Sequence, residues 1–108
     1  MTVSMEDFKK LDLRVGLVVK AERVKGSDRL LRLSVDFGGV RKQVLTGLAQ
    51  LYPPEHFIGR HLVFITNLEP RKIRGELSEA MLLTAVESEE RVVPVIPETP
   101  VKPGTPIY

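Results

Sequence analysis

Alternation between apolar and polar residues constrains this chain most, because period-two patterns are typical of strands with one buried face. From Leu13 to Ala21 every second residue is apolar, and charged or small residues occupy most of the positions between them. This pattern predicts one long, half-buried strand. Gly16 within it predicts a bulge or a tight bend, as strands that close a barrel require.

Further strands are separated by turn residues. Leu31 to Phe37 alternates again, and Gly38-Gly39 predicts a hairpin turn. A capping pattern at Ser4 predicts a short helical turn before the first strand, and Pro53-Pro54-Glu55 predicts another that ends at Gly59. The remaining expectations are strands over 40–48, 61–68 and 78–86 and a loop over 69–75.

The order of these elements favours an all-β fold, the OB-fold, a five-stranded Greek-key barrel. A short helix between strands three and four distinguishes it from a small β-sandwich, the competing architecture. We expect one domain over residues 1–108, with the barrel over about 6–90 and an extended tail over 91–108. The tail is proline-rich and is expected to take part in dimerisation.

Proline recurs at every third position of this tail. The positions are Pro94, Pro97, Pro100, Pro103 and Pro106. Such spacing fits an extended, polyproline-like path and excludes a central strand. The apolar residues between the prolines favour packing on the chain's own barrel or on a second subunit over a role as a peptide ligand.

The composition argues against the common catalytic and metal-binding classes. There is no cysteine, and the two histidines, His56 and His61, do not have the spacing of metal ligands. Nucleophile elbows and phosphate-binding glycine loops are also missing. We therefore expect a non-catalytic, cytoplasmic protein without a cofactor or metal. Its apolar runs are too short for a membrane helix, so no membrane partner is expected.

Charge is divided unevenly along the chain. Residues 1–74 carry 14 basic and 8 acidic side chains, and residues 75–108 carry 2 basic and 6 acidic ones. The basic residues of strands two and three and of the loop 69–75 would meet on the face that OB-folds use for oligonucleotides. Few aromatic side chains remain for base stacking, which favours a folded RNA bound through phosphates and shape.

Seven motifs, in order along the chain, resemble a known family. They are Asp12-Leu13-Arg14-Val15-Gly16, Ser27-Asp28-Arg29-Leu30-Leu31, Val35-Asp36-Phe37-Gly38, Thr46-Gly47-Leu48-Ala49, Tyr52-Pro53-Pro54-Glu55, Asn67-Leu68-Glu69-Pro70-Arg71-Lys72-Ile73-Arg74-Gly75 and Ser78-Glu79-Ala80-Met81-Leu82-Leu83. Together they resemble the tRNA-binding domain found at the C-terminus of many methionyl-tRNA synthetases, which also occurs as a stand-alone protein. The resemblance spans about residues 6–108.

This resemblance implies an OB-fold that binds tRNA with little sequence discrimination. It also implies a homodimer, and a role alone or as a trans-acting module of methionyl-tRNA synthetase, which makes an aminoacyl-tRNA synthetase a candidate partner. Together with the predicted basic face, it indicates these tRNA contacts: Arg29, Arg41, Asn67, Arg71, Lys72, Arg74, Ser78 and Met81.

Each candidate contact also has a structural interpretation. Arg71, Lys72 and Arg74 would suit a solvated loop, and Met81 would suit the barrel core. Asn67 and Ser78 could instead satisfy backbone groups, a common use of both residue types. Ala80 stands where the family commonly has glycine, which affects the groove if that position needs a positive φ.

Two other functions compete with tRNA binding. A related branch of the family resembles an export-linked chaperone that binds unfolded polypeptides. Those relatives have a similar tail but lack the Asp28-Arg29-Leu30-Leu31 segment and the Pro70–Arg74 pattern in this form. A module that only dimerises would explain the tail but not the basic segments. We therefore favour tRNA.

Overall fold

Ten short strands, one α-helical turn and one 3-10 turn make up the computed structural model, which describes all of residues 1–108. The elements are α1 (Met5–Phe8), β1 (Leu13–Arg23), β2 (Leu31–Asp36), β3 (Arg41–Thr46), the 3-10 turn (Pro54–His56), β4 (His61–Ile65), β5 (Arg71–Ile73), β6 (Glu76–Ser78), β7 (Met81–Leu82), β8 (Thr84–Val86), β9 (Val92–Pro94) and β10 (Pro106–Ile107). No helix is long and apolar enough to cross a lipid bilayer.

The main sheet has the strand order β3-β2-β1-β4-β7, and all of its pairs are antiparallel. Beyond β3 the sheet nearly closes, because Glu79 N–H donates to the Gln43 carbonyl at 2.8 Å and Leu45 N–H donates to the Ser78 hydroxyl at 3.0 Å. The 3-10 turn lies between β3 and β4. This arrangement confirms the predicted barrel of the OB type.

The core fills the barrel between these strands. Its largest fully buried side chains are Phe57, Phe64, Leu31, Leu33, Leu62, Val18, Val35 and Val44. Phe57 ends the 3-10 turn and is fully buried, and Tyr52 packs edge-on against it with ring centroids 5.5 Å apart. The Tyr52 hydroxyl donates to the Val92 carbonyl at 2.6 Å, which joins this end of the barrel to β9.

The inward face of β1 differs from the predicted one. Gly16 faces inward, since a Cβ there would lie 2.7 Å from Phe37 Cε1 and closer still to Val35 Cγ1. Val18, expected on the outer face, is fully buried in the core cluster. The register with β2 shifts between Val18 and Lys20. Gly16 therefore allows close packing, and the bulge lies further along the strand.

The proline-rich tail packs on its own barrel, one of the two arrangements that the sequence favoured. Val63 N–H donates to the Val95 carbonyl at 3.0 Å, and Gly104 N–H donates to the Val15 carbonyl at 2.7 Å. β10 then pairs with the start of β1. The tail thus extends the sheet at the edges of β1 and β4. Val15 and Val63, which are partners in the β1–β4 pair, are buried although they lie outside the core cluster.

Segment 69–75 is not the predicted loop. β5 and β6 form a two-stranded hairpin, and Arg74 and Gly75 make its turn with φ values of 51° and 78°. Positive φ at both central residues is the type I′ geometry that matches the twist of a hairpin. The single strand predicted over 78–86 is also divided, into the end of β6, then β7 and β8.

Candidate nucleic-acid interface

Three arginines from separate segments line one open groove of about 470 Å³. Arg29 comes from the loop between β1 and β2, Arg71 from β5, and Arg74 from the β5–β6 turn. Gly47 and Ile73 also line the groove. The fold therefore brings together three of the predicted contacts, although 45 positions separate Arg29 from Arg74 in the sequence.

The loop that carries Arg29 is held by short-range hydrogen bonds. The Ser27 hydroxyl accepts from the N–H groups of Arg29 at 3.3 Å and Leu30 at 3.2 Å, a turn typical of serine. The Arg29 carbonyl accepts from Ala49 N–H at 3.0 Å. The backbone of Arg29 is thereby fixed while its side chain stays exposed.

An ion pair holds the β5–β6 hairpin against the barrel. Arg32 on β2 donates from Nε to Glu76 Oε1 at 2.6 Å and from Nη2 to Glu76 Oε2 at 2.5 Å. Its Nη1 donates to Glu22 Oε1 on β1 at 2.8 Å. The hydrogen bonds from Arg32 hold the pKa of Glu76 below its usual value, and those to Glu76 and Glu22 raise the pKa of Arg32. The hairpin therefore has a defined position on the barrel.

The groove arginines differ from Arg32 in their charge balance. None of Arg29, Arg71 and Arg74 forms an ion pair, whereas Arg32 is bound to two carboxylates. Asp28 is the one acidic residue among those that line the groove. Three guanidinium groups against one carboxylate give the groove an excess of positive charge, and such an excess raises the local concentration of anionic ligands.

Two other predicted basic contacts lie outside the groove. Arg41 lines a separate depression on the outer face of β1 to β3, together with Lys20 and Lys42. Lys72 is exposed but lies between Arg71 and Ile73 on β5, and successive side chains of a strand point to opposite faces. The structure does not bring Arg41 or Lys72 together with the three groove arginines.

Asn67 and Ser78 have their polar groups engaged within the fold. Asn67 Oδ1 accepts from Asp12 N–H at 2.8 Å, and its Nδ2 donates to the Lys10 carbonyl at 2.7 Å. The buried Ser78 hydroxyl accepts from Leu45 N–H and donates to the Ala80 carbonyl, both at 3.0 Å. Both residues therefore have the structural role that the sequence left open.

Met81 and Ala80 have different surroundings. The Met81 side chain is 46% exposed and is not part of the core, contrary to its structural interpretation. Ala80 is buried in the core cluster, and it has no positive φ. Alanine is therefore compatible with the backbone where the resembled family commonly has glycine.

The Arg32–Glu76 pair was not predicted from the sequence. Arg32 is one of the basic residues of strand two, which the sequence predicted on the oligonucleotide face, and Glu76 lies 44 positions later, just after the hairpin turn. Only the barrel register, which places β6 beside the outer face of β2 and β3, brings the two together. No local pattern could have indicated this contact.

Comparison with known proteins identifies the family of the chain. A family model described as "Putative tRNA binding domain" matches residues 13–106. The methionine–tRNA ligases of Clostridium tetani and Clostridium perfringens are each 47% identical over 88 residues, which cover 82% of this chain. The aligned region is 14% of the length of each ligase. The chain thus corresponds to a small part of those enzymes.

Two solved structures share the fold along the whole chain. A MetRS-related protein from Pyrococcus horikoshii has a TM-score of 0.87 and 36% identity, and it is covered over 99% of its length. The chaperone CsaA from Bacillus anthracis has a TM-score of 0.90 and 34% identity, and it is covered completely. Since the family model matches most of the sequence, this chain belongs to the tRNA binding domain family.

Proposed function

We propose that this protein binds tRNA without catalysing a reaction, and that it recognises phosphates and overall shape with little dependence on base sequence. The observation that carries the proposal is the convergence of Arg29, Arg71 and Arg74, free of ion pairs, in one groove. Phosphate contacts of this kind supply affinity and orientation but carry no sequence information.

The lining of the groove supports recognition through the backbone of the RNA. No aromatic side chain lines it, so the stacking platforms typical of proteins that bind single strands are missing. Apart from the three arginines, Asp28 and Ser27 are the only lining residues with polar side chains. The Ser27 hydroxyl already accepts two backbone hydrogen bonds. Apart from the arginines, the groove therefore has few side chains that could form hydrogen bonds to base edges.

The test is a titration of the purified protein with unfractionated tRNA at several salt concentrations between about 50 and 200 mM. Each neutralised phosphate contributes roughly 0.7 to 0.9 to the slope of log affinity against log salt. Three contacts from the groove predict a slope of at least about −2. An affinity that is absent, or that does not change with salt, would contradict the proposal.

We also propose that the protein is a cytoplasmic homodimer. The tail leaves apolar side chains exposed after it has packed on its own barrel, among them Val93, Val95, Ile96 and Val101. Ile96 is the most exposed of these, at 60%. Light scattering should give twice the chain mass of 12.1 kDa, and Ile96→Glu should give the monomer mass. A wild-type monomer would contradict this arrangement.

A synthetase partner is proposed from the relatedness to the methionine–tRNA ligases. In this role the protein would supply tRNA affinity in trans to a methionyl-tRNA synthetase that lacks such a domain. Co-purification with that synthetase, and an increase of its affinity for tRNA when the protein is added, would support the role. No effect on either would restrict the protein to acting alone.

Polypeptide binding is the alternative function, and the likeness to the chaperone CsaA favours it. The two functions predict different competition results. A protein that binds tRNA in the arginine groove should bind unfolded polypeptide weakly, and tRNA should displace it. Efficient capture of unfolded polypeptide that tRNA does not reduce would favour the chaperone function.

A further inference from the structure

An apolar slot of about 90 Å³ adjoins the arginine groove. Leu45, Leu68, Ala80 and Met81 form its apolar part. Leu45 also lines the arginine groove, so the two sites share part of their wall. The slot therefore belongs to the same surface as the groove but differs from it in chemistry.

Two side chains of the slot are unusually exposed for their type. Met81 is 46% exposed and Leu68 is 40% exposed, and both lie beside charged residues rather than beneath another segment of the chain. The Ser78 hydroxyl in the slot is already bound to Leu45 and Ala80 backbone groups. The slot thus offers apolar contact, and its remaining capacity for hydrogen bonds belongs to the charged side chains of Glu69 and Arg71.

Arg71 connects the slot with the groove, because it lines both of them. A ligand that fits this pair of sites carries a flat or apolar group within a few bonds of a negative charge. A nucleotide has this composition, since its base has two apolar faces and its phosphate is anionic. An apolar amino-acid side chain would fill the slot but would leave the three guanidinium groups without partners.

We propose that the slot binds one unpaired nucleobase of an RNA whose phosphates lie in the arginine groove, an inference that rests on the proposed function. A base within a helix is stacked on both faces, so the slot selects a base from a loop, a bulge or a single-stranded end. Met81 suits this contact because its thioether is polarisable and adapts to the edge or face of a ring.

The first test uses the unchanged protein and two RNA hairpins that differ only in the loop. One hairpin has a normal loop, and in the other the loop nucleotides are abasic, so that every phosphate is kept and the bases are removed. We expect the normal hairpin to bind about five to ten times more tightly, because the abasic loop loses the apolar contact of one base with Leu68 and Met81. The salt slopes of the two complexes should be equal, because the phosphate contacts do not change.

The second test removes the apolar contact from the protein. Leu68→Ala combined with Met81→Ala should reduce the affinity for the normal hairpin by the same factor and leave the affinity for the abasic hairpin unchanged. Leu77→Ala is the matched control, since Leu77 is similarly exposed at 45% but does not line the slot. That variant should bind both hairpins as the wild type does.

The outcomes separate this inference from the proposed function. Equal affinity of the wild type for the two hairpins would overturn the nucleobase slot while leaving phosphate-driven tRNA binding intact. Failure to bind either hairpin or tRNA would overturn both. If abasic sites have no effect and the double variant binds an apolar peptide more weakly than the wild type does, the slot would be assigned to polypeptide instead.

Discussion

Arg74 provides a prediction in which stability and function change in opposite directions. It is the only non-glycine residue with a positive φ, at 51°, and it occupies the first central position of a type I′ turn. Asparagine is strongly preferred there, whereas most L-residues lose about 1–2 kcal/mol in the left-handed region. Replacing Arg74 by asparagine should therefore stabilise the hairpin and also remove one cation from the groove.

The expected stability gain for Arg74→Asn is about 0.5–1 kcal/mol, because asparagine recovers part of that conformational cost. For a domain of this size a change of 1 kcal/mol shifts Tm by about 4–8 °C. The same substitution should reduce the magnitude of the slope of log tRNA affinity against log salt by about 0.7–0.9, the contribution of one phosphate contact. Urea or thermal unfolding measures the first effect, and tRNA titration measures the second.

Arg74→Lys is the matched control, since it keeps the charge and the strained conformation. Its stability and its salt slope should both remain close to those of the wild type. A loss of stability in Arg74→Asn would show that the turn argument is wrong. An unchanged salt slope in that variant would show that Arg74 does not contact a phosphate.

Three further predictions concern the ion pair, the core and the turn that follows Asp36. Glu76→Gln should weaken tRNA binding although it removes a negative charge, because it breaks the ion pair that holds the hairpin to Arg32. Tighter binding in the same titration would contradict the positioning role of this pair. Gly16→Ala should cost about 1–3 kcal/mol in urea unfolding, since its Cβ would overlap the side chains of Phe37 and Val35. Hydrogen bonds from the N–H groups of Gly39 and Gly38 lower the pKa of Asp36. The ionised Asp36 carboxylate thus contributes its full stabilisation above the ordinary carboxyl pKa of about 4, and this contribution is lost as the pH falls below that value. Asp36→Asn should therefore reduce the loss of thermal stability below about pH 4; an unchanged profile would contradict this.

The element order could be read from the sequence because each strand has its own alternating pattern and its own turn residues. The inward face of β1 could not, since both alternating sets of residues contain apolar side chains that are buried, Val15 in one set and Val18 in the other. Two apolar faces leave no contrast from which to decide which one lies in the core. The turn at Arg74-Gly75 was missed because arginine is uncommon at its first position.

The basic residues of the candidate site were predictable from the sequence, but the contacts that hold its segments in place were not. Arg29, Arg71 and Arg74 carry the predicted basic character into one groove. The pairing of Arg32 with Glu76, and the commitment of Asn67 to backbone groups, depend on contacts between residues 44 and 57 positions apart. Such contacts arise from the barrel register, which no single segment encodes.

The most direct test of the central claim is the salt dependence of tRNA binding by a variant that carries Arg29→Gln, Arg71→Gln and Arg74→Gln. Lys102→Gln is the control, since Lys102 is exposed in the tail and lies outside the groove. The account predicts that the triple variant loses roughly two to three units of the slope of log affinity against log salt, whereas the control loses none. A triple variant that keeps the wild-type slope and affinity would contradict the assignment of this groove to tRNA.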